Sequence, residues 1–143
     1  MPILDNNMMR SIIMDHYSNP LHKHEPKDDS YSHTHMHSAN CIDDIEIYVK
    51  KENDKILDCC FTGVACTIAT ASTDILCDLV IGKTVKEAEE IIKNYLNMMQ
   101  ELPFDEDLLD EAIVFVNTSK QAARIRCATI GWNGVKEILD NEQ

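Results

Sequence analysis

The chain has 143 residues, of which 44% are hydrophobic and 27% are charged, a composition typical of a globular protein rather than a disordered one. Its 13 Lys and Arg residues against 25 Asp and Glu residues give a formal net charge of −12, which argues against nucleic acid or anionic lipid as a partner. No apolar run reaches the roughly 18 residues of a membrane span, and the first residues lack the layout of a signal peptide. We therefore expect a single cytoplasmic domain over residues 1–143, with no membrane partner.

The first half of the chain changes from helical to strand periodicity. Apolar residues at three- and four-residue spacing predict a helix over residues 4–17, and a polar loop with two prolines follows over residues 18–30. From residue 31 to 49 the apolar residues recur with a period of two, and residues 55–61 continue this pattern after a polar turn. These runs predict three short antiparallel strands with tight links.

The second half is helical. An apolar run predicts a helix over residues 66–81 that ends at Gly82, and a capping-box sequence at residues 84–87 begins the next helix. We expect a short helix within residues 104–117 and a last helix from about residue 120 to 139. The order of helix, three strands and helices predicts an α+β fold: a three-stranded antiparallel sheet with helices packed on one face, preceded by an N-terminal helix.

Three of the six cysteines combine with one aspartate into a candidate metal site. Cys41 and Asp43 lie two residues apart in an extended segment, so their side chains point the same way. Cys66 stands where a strand gives way to a helix, and the free N–H groups of a helix N-terminus favour a thiolate. In a cytoplasmic chain thiols stay reduced, which favours metal or redox chemistry over disulfides.

The third thiol of this set is Cys127, which follows two arginines. Arg124 and Arg126 favour its thiolate by charge, and they would offset the excess negative charge of four anionic ligands around a zinc ion. Three thiolates and a carboxylate form a four-coordinate set that suits zinc. Because the sequence contains no CxxC pair, the spacing leaves ordinary buried cysteines as an open alternative.

The histidines admit a metal-binding and a structural interpretation. His33, His35 and His37 fall on one strand face and could bind a metal, although such alternation more often marks a solvent-facing strand. We expect one zinc ion per chain, and we expect these three histidines to be uncoordinated. His16 continues the apolar stripe of the first helix, so a structural histidine is favoured there.

The remaining cysteines are expected to pack rather than to react. Cys59 and Cys60 are adjacent in a strand and face opposite sides, so we expect one in the core and the other partly exposed. Cys77 lies about three helical turns from Cys66, too far to share its metal.

Four segments carry a resemblance to a known family: MDHYSNP at residues 14–20, CID at 41–43, FTGVACTIATAS at 61–72 and ARIRCATIGW at 123–132. In these segments the chain resembles the SufU/IscU family, the NifU N-terminal-like proteins of iron–sulfur cluster assembly. The resemblance covers the chain from about residue 8 to 139.

The resemblance is closer to the SufU type. Residues 102–119 look like the SufU-type insertion, and Arg126 stands where the IscU type has a histidine. The resemblance implies a zinc-dependent sulfurtransferase that takes persulfide sulfur from a SufS-like cysteine desulfurase, with a possible downstream cluster scaffold as a further partner. It implies zinc ligation by Cys41, Asp43, Cys66 and Cys127, with Cys41 as the catalytic sulfur acceptor.

Two alternatives use the same ligands. The chain could be a scaffold on which iron is assembled into a 2Fe–2S cluster and transferred, or a structural zinc domain without turnover.

The chain also departs from the family pattern. Ser38 and Ala39 replace an Asn-Pro pair, Ala65 replaces the glycine before the second cysteine, and Ile42 replaces the glycine between the first cysteine and the aspartate. A β-branched residue at positive φ is rare. We therefore expect either an ordinary φ at Ile42 or a changed position of the Asp43 carboxylate.

Overall fold

The fold is built on a three-stranded antiparallel sheet in the order β1-β2-β3, which confirms the predicted α+β class. The structure is a computed structural model and describes residues 4–39 and 41–141, so both ends of the predicted 1–143 domain lie outside the described residues. The elements in chain order are α1 (Asn6–Ser18), β1 (Ser32–His37), β2 (Asp44–Glu52), β3 (Lys55–Val64), α2 (Thr67–Val80), α3 (Val85–Met99), α4 (Glu106–Leu109), a 3-10 segment (Asp110–Lys120) and α5 (Ala122–Asn141).

One face of the sheet is covered by helices. Ile45, Ile47 and Val49 of β2 are buried on this face, where α5 packs on β1 and β2 while α2 packs on β3. The strand alternation that the sequence predicts is therefore the alternation between core and solvent. The link between β1 and β2, residues 38–43, is longer than the tight turn expected from the sequence.

Helices α2 and α5 approach closely at a glycine. A Cβ atom added to Gly131 of α5 would lie 2.4 Å from Thr73 Oγ1 of α2, so the contact requires the absence of a side chain there. Gly131 lowers the intrinsic helix propensity of α5, and in return it allows this close packing. The next residue, Trp132, stacks on Tyr95 of α3, with ring centroids 3.6 Å apart.

A buried hydrogen-bond network joins α2, α3 and α5 beside Cys127. The Ser72 hydroxyl and the Tyr95 hydroxyl donate to the carbonyl of Ala128 at 2.6 and 2.7 Å. Trp132 Nε1 donates to Ser72 Oγ at 2.8 Å. Because every member is buried and paired, the network fixes the backbone that carries Cys127.

The observed helices and strands lie near their predicted positions, with two differences. The capping box is confirmed: Glu87 N donates to Thr84 Oγ1 at 3.1 Å, and Thr84 N donates to the Glu87 side chain at 2.9 Å. The short helix expected within residues 104–117 is a single α-turn, α4, followed by the longer 3-10 segment. Strand β3 also runs three residues beyond its expected end and stops at Val64.

Both adjacent cysteines of β3 are buried, so the expectation that one is partly exposed is wrong. Cys60 faces away from the helices, but the 18–30 loop covers it: Phe61 N donates to the carbonyl of His22 at 3.0 Å, and Lys23 forms a bridge with Phe61. Burial raises the pKa of the Cys60 thiol to about 12. Among the described helices, none has the length and apolarity that a membrane crossing requires.

Candidate metal centre

Four side chains from distant parts of the chain converge at one end of the sheet. The Sγ atoms of Cys41, Cys66 and Cys127 and a carboxylate oxygen of Asp43 all lie within 4.8 Å of one another. The β1–β2 link supplies Cys41 and Asp43, the residue before α2 is Cys66, and the second turn of α5 supplies Cys127. The structure thus brings together the four residues that the resemblance implies as ligands.

Asp43 is the most deeply placed member of the group, with 1% of its surface exposed. Its Oδ1 accepts a hydrogen bond from the backbone N–H of Cys66 at 2.8 Å, and its Oδ2 lies 3.8 Å from Cys66 Sγ. Its carbonyl accepts from Ser38 N at 3.0 Å, which closes the β1–β2 link. The link is therefore held on both sides of the carboxylate.

The backbone at Ile42 is ordinary, so the first of the two expectations for this position is confirmed. Within residues 4–39 and 41–141, the non-glycine residues with positive φ are Asn53, Glu101 and Asp110. Ile42 points outward, with 64% of its surface exposed. A β-branched residue is accommodated here because the link needs no left-handed conformation at this position.

Cys66 caps the N-terminus of α2, as the sequence indicates, and its Sγ accepts from Ala69 N at 3.4 Å. The expectation that this position favours the thiolate is nevertheless wrong for the protein without a bound ion, in which the net effect on the thiol has the opposite direction. Burial raises the pKa of the Cys66 thiol, and the Asp43 carboxylate adds to that rise against the opposing backbone hydrogen bond. The cap is outweighed because burial and a neighbouring anion both disfavour a second negative charge.

Cys127 behaves in the same way despite its two arginine neighbours. Burial is the largest cause that raises the pKa of its thiol, followed by the nearby Asp43, Cys66 and Cys41 side chains. Cys127 Sγ lies 3.6 Å from Cys41 Sγ. A bound cation would reverse this balance, since a metal deprotonates the thiols that coordinate it.

Of the two arginines that precede Cys127 in the sequence, only Arg126 shares a cavity with the group. Arg126 lines an open cavity of about 280 Å³ together with Cys41 and Cys127. Arg124 lines a separate cleft of about 600 Å³ that it shares with Arg10 of α1.

The donor set fits a zinc ion. Three soft sulfur ligands and one carboxylate match the ligand types and the ligand number of tetrahedral zinc sites. A metal site needs several Cys, His, Asp or Glu ligand atoms close together. Among the residues that the structure describes, these four form the one such group of three or more.

The other candidate residues lie outside the group. His33 and His35 are exposed on the sheet, and Cys77 is buried in the core, as expected. His16 is a satisfied structural histidine, with Asp74 and Glu111 oxygens 2.6 and 2.9 Å from its ring nitrogens, which confirms that prediction.

Comparison with known proteins defines the class to which this fold and site belong. The NifU-like N terminal domain family matches residues 8–128, and the chain belongs to this family. The iron–sulfur cluster assembly scaffold protein IscU of Streptococcus pyogenes serotype M1 is 34% identical over 136 residues, covering 94% of this chain and 84% of the relative. The zinc-dependent sulfurtransferase SufU of Bacillus subtilis is 30% identical over 139 residues, covering 96% and 93%.

A solved structure has the same fold. The crystal structure of FiSufU from Fervidobacterium islandicum, described as an iron–sulfur cluster assembly scaffold protein for the SUF system, superposes with a TM-score of 0.82 at 30% identity. The match covers 90% of this chain and 93% of that one.

Proposed function

We propose that this protein is a zinc-dependent sulfur acceptor of iron–sulfur cluster assembly, which takes persulfide sulfur from a cysteine desulfurase at Cys41. The observation that carries this function is the convergence of three thiols and one buried carboxylate within 4.8 Å. The relative from Bacillus subtilis, which bears the name zinc-dependent sulfurtransferase and aligns with 96% of the chain, supports it.

The proposed ligands of zinc are Cys41, Asp43, Cys66 and Cys127. Zinc would hold the thiols deprotonated without redox chemistry of its own. Arg126, at the cavity beside Cys127, and Arg124, on the preceding turn of α5, are proposed to offset the excess negative charge.

The whole chain is proposed to act as one domain, with residues 102–119 as its SufU-type insertion. This stretch contains α4 and most of the 3-10 segment. It packs on the domain through hydrogen bonds from Asp105 N to the Asn94 side chain at 2.8 Å and from Asn117 Nδ2 to Asn6 Oδ1 at 3.2 Å.

Cys41 is proposed as the acceptor because its surroundings hold it least. Cys66 is fixed by the cap of α2, and Cys127 by the buried network at Ala128. Cys41 lies in the β1–β2 link, half-buried, and lines an open cavity. A link can adjust to a partner more easily than the helices it faces.

The transfer is a thiol–persulfide exchange. The Cys41 thiolate attacks the outer sulfur of the partner's cysteine persulfide, so a new S–S bond forms on Cys41. The S–S bond to the partner's cysteine breaks, and that cysteine leaves as a thiolate. One thiolate is consumed and one is released, so the exchange needs no external oxidant or reductant.

The test is to incubate the protein with a cysteine desulfurase and cysteine, and to locate the added sulfur by peptide mass spectrometry. We expect the mass of one sulfur on the peptide that contains Cys41, and no stimulation of the desulfurase by Cys41→Ser. Cys60→Ala is the matched control, because it removes a thiol outside the group and should keep full stimulation. Added sulfur on Cys66 or Cys127 in the wild type, or full stimulation by Cys41→Ser, would refute the proposal.

A cluster scaffold is the second candidate, supported by the names of the Streptococcus pyogenes relative and the Fervidobacterium structure. Thiolate ligands suit iron–sulfur clusters as well as zinc. Anaerobic reconstitution with iron and sulfide separates the two functions. A scaffold gains visible absorption and passes its cluster to an apo-ferredoxin, whereas the proposed zinc protein stays colourless.

A further inference from the structure

Strand β1 presents a row of imidazoles on the solvent face of the sheet. His33, His35 and His37 alternate with Thr34 and Met36, which are half-buried on the helix side. The His33 and His35 side chains are 61% and 53% exposed. Three of the six histidines of the chain therefore lie on one face of a six-residue strand.

Carboxylates of the neighbouring strand orient two of these rings. His33 Nδ1 lies 2.7 Å from Glu46 Oε2, and His35 Nε2 lies 2.5 Å from Asp44 Oδ1. A carboxylate on one ring nitrogen fixes the tautomer and orientation of the ring and leaves the other nitrogen free as a ligand, as is typical of metal-binding histidines. Both rings are thus held with one nitrogen available.

His37 completes a pair with His35. The two rings are stacked, with centroids 5.5 Å apart and an interplanar angle of 23°. The same face carries Asp44 and Glu46, so its carboxylates attract a cation. Adjacent imidazoles on an acidic surface are the donors that zinc, nickel and copper ions prefer.

We propose that His35 and His37 bind a second divalent transition-metal ion, with Asp44 as the carboxylate that orients His35. This site is separate from the cysteine group, whose close ligand atoms include no histidine. It lies at the start of the 38–43 link and on the opposite sheet face from α5. The alternation alone favours uncoordinated histidines, and the carboxylate contacts seen in the structure are the reason for assigning a site here. The site holds whether or not the cysteine group binds zinc.

The test uses the full chain supplied with one equivalent of zinc and then titrated with Ni²⁺. Calorimetry should detect an additional Ni²⁺ ion per chain. Imidazole NMR signals of His35 and His37 should broaden before those of His22 and His24. These signals report the histidines directly, so the result does not depend on the cysteine group.

Variants assign the ligands. His35→Gln/His37→Gln should abolish the additional site, and Asp44→Asn should weaken it by roughly 10–100-fold, the usual cost of losing an orienting partner. His22→Gln/His24→Gln is the matched control and should bind like the wild type. Circular dichroism checks that each variant is folded. The proposal is overturned if the wild type takes up no additional ion, or if the control pair loses as much affinity as His35→Gln/His37→Gln.

Discussion

Thr73 and Asp43 are both buried polar residues, but only one of their side chains has a hydrogen-bond partner. The Asp43 carboxylate accepts from Cys66 N at 2.8 Å and faces the thiols of the metal-site candidate. The Thr73 hydroxyl has no hydrogen-bond partner among the described residues. A buried unpaired hydroxyl costs about 1–3 kcal/mol of stability. Thr73 therefore destabilises the fold, whereas the carboxylate of Asp43 is paired and available to a ligand.

Thr73→Val should therefore stabilise the protein. Valine has nearly the shape of threonine and removes the unpaired hydroxyl, so the free energy of unfolding should rise by about 1 kcal/mol. Thr70→Val is the matched control on the same helix, because Thr70 Oγ1 donates to the carbonyl of Ala65 at 3.3 Å and its loss should be destabilising. Urea-induced unfolding measures both. A lower stability of Thr73→Val would mean that the hydroxyl is paired in solution.

At the scale of elements, a partly buried ionic cluster holds α1 and the 3-10 segment against α2. His16 of α1 lies 2.6 Å from Asp74 of α2 through Nδ1 and 2.9 Å from Glu111 of the 3-10 segment through Nε2. Asp74 also accepts from His22 N at 2.8 Å, which fixes the loop after α1. Burial opposes the charge on His16, but the two carboxylates outweigh it and raise the pKa of the imidazole above its ordinary value.

The stability contributed by His16 should depend on pH. Because its pKa is higher in the folded state, the contribution is fully present below the unfolded value of 6.5 and is lost as the pH rises through the folded value. His16→Gln should therefore lose more stability relative to the wild type at pH 6 than at pH 8.5. His24→Gln, on an exposed loop residue, is the control. An equal loss at both values of pH, measured by urea unfolding, would contradict the assignment.

The contact between α2 and α5 gives a second prediction at this scale. Gly131→Ala places a Cβ atom 2.4 Å from the Oγ1 and 2.8 Å from the Cγ2 of Thr73, a β-branched residue on a helix that cannot easily move aside. The strain should exceed the gain in helix propensity, with a net loss of about 1–3 kcal/mol. Asn133→Ala, at an exposed position of the same helix, should lower the thermal midpoint little or not at all. Equal midpoints for the two variants would show that the helices separate freely.

At the scale of the whole molecule, the candidate metal site joins the sheet to two helices. Its four candidate ligands lie at positions 41, 43, 66 and 127, so an ion bound there would link chain segments up to 86 positions apart. A metal that binds only the folded state, present at a free concentration of about a thousand times its dissociation constant, stabilises the fold by about 4 kcal/mol. Its removal should lower the free energy of unfolding by that amount. The thermal midpoint of the chelated protein should accordingly fall by roughly 10 °C.

Variants separate this effect from general destabilisation. Cys66→Ala and Cys127→Ala should lose the metal and show no further change on chelation, because metal binding and folding are coupled. Cys77→Ala should keep the metal and the full response to the chelator, since Cys77 lies in the core away from the group. Loss of metal from Cys77→Ala would mean that the site extends into the core.

Local patterns predicted the elements, because period and capping depend on neighbouring residues. The Thr84–Glu87 capping box and the alternation of Ile45, Ile47 and Val49 appear in the structure as the sequence indicates. The burial of Cys60 could not be predicted, since a distant loop covers it. The direction of the Cys66 pKa shift was missed for the same reason: it depends on burial and on Asp43, a non-local neighbour.

The site itself was suggested by residue types and made specific by the family resemblance. Spacing alone left the four candidate ligands undecided, because candidates such as Cys41 and Cys127 are 86 positions apart in the sequence. Their convergence at 4.8 Å is a property of the tertiary fold.

X-ray absorption at the zinc edge of the protein loaded with one equivalent of zinc tests the central claim most directly. We predict a first shell of three sulfur atoms and one oxygen atom, from Cys41, Cys66, Cys127 and Asp43. Asp43→Ala should leave the three sulfur atoms and replace the carboxylate oxygen. A first shell without sulfur, or one dominated by imidazole nitrogen, would contradict the assignment of the cysteine group as the zinc site.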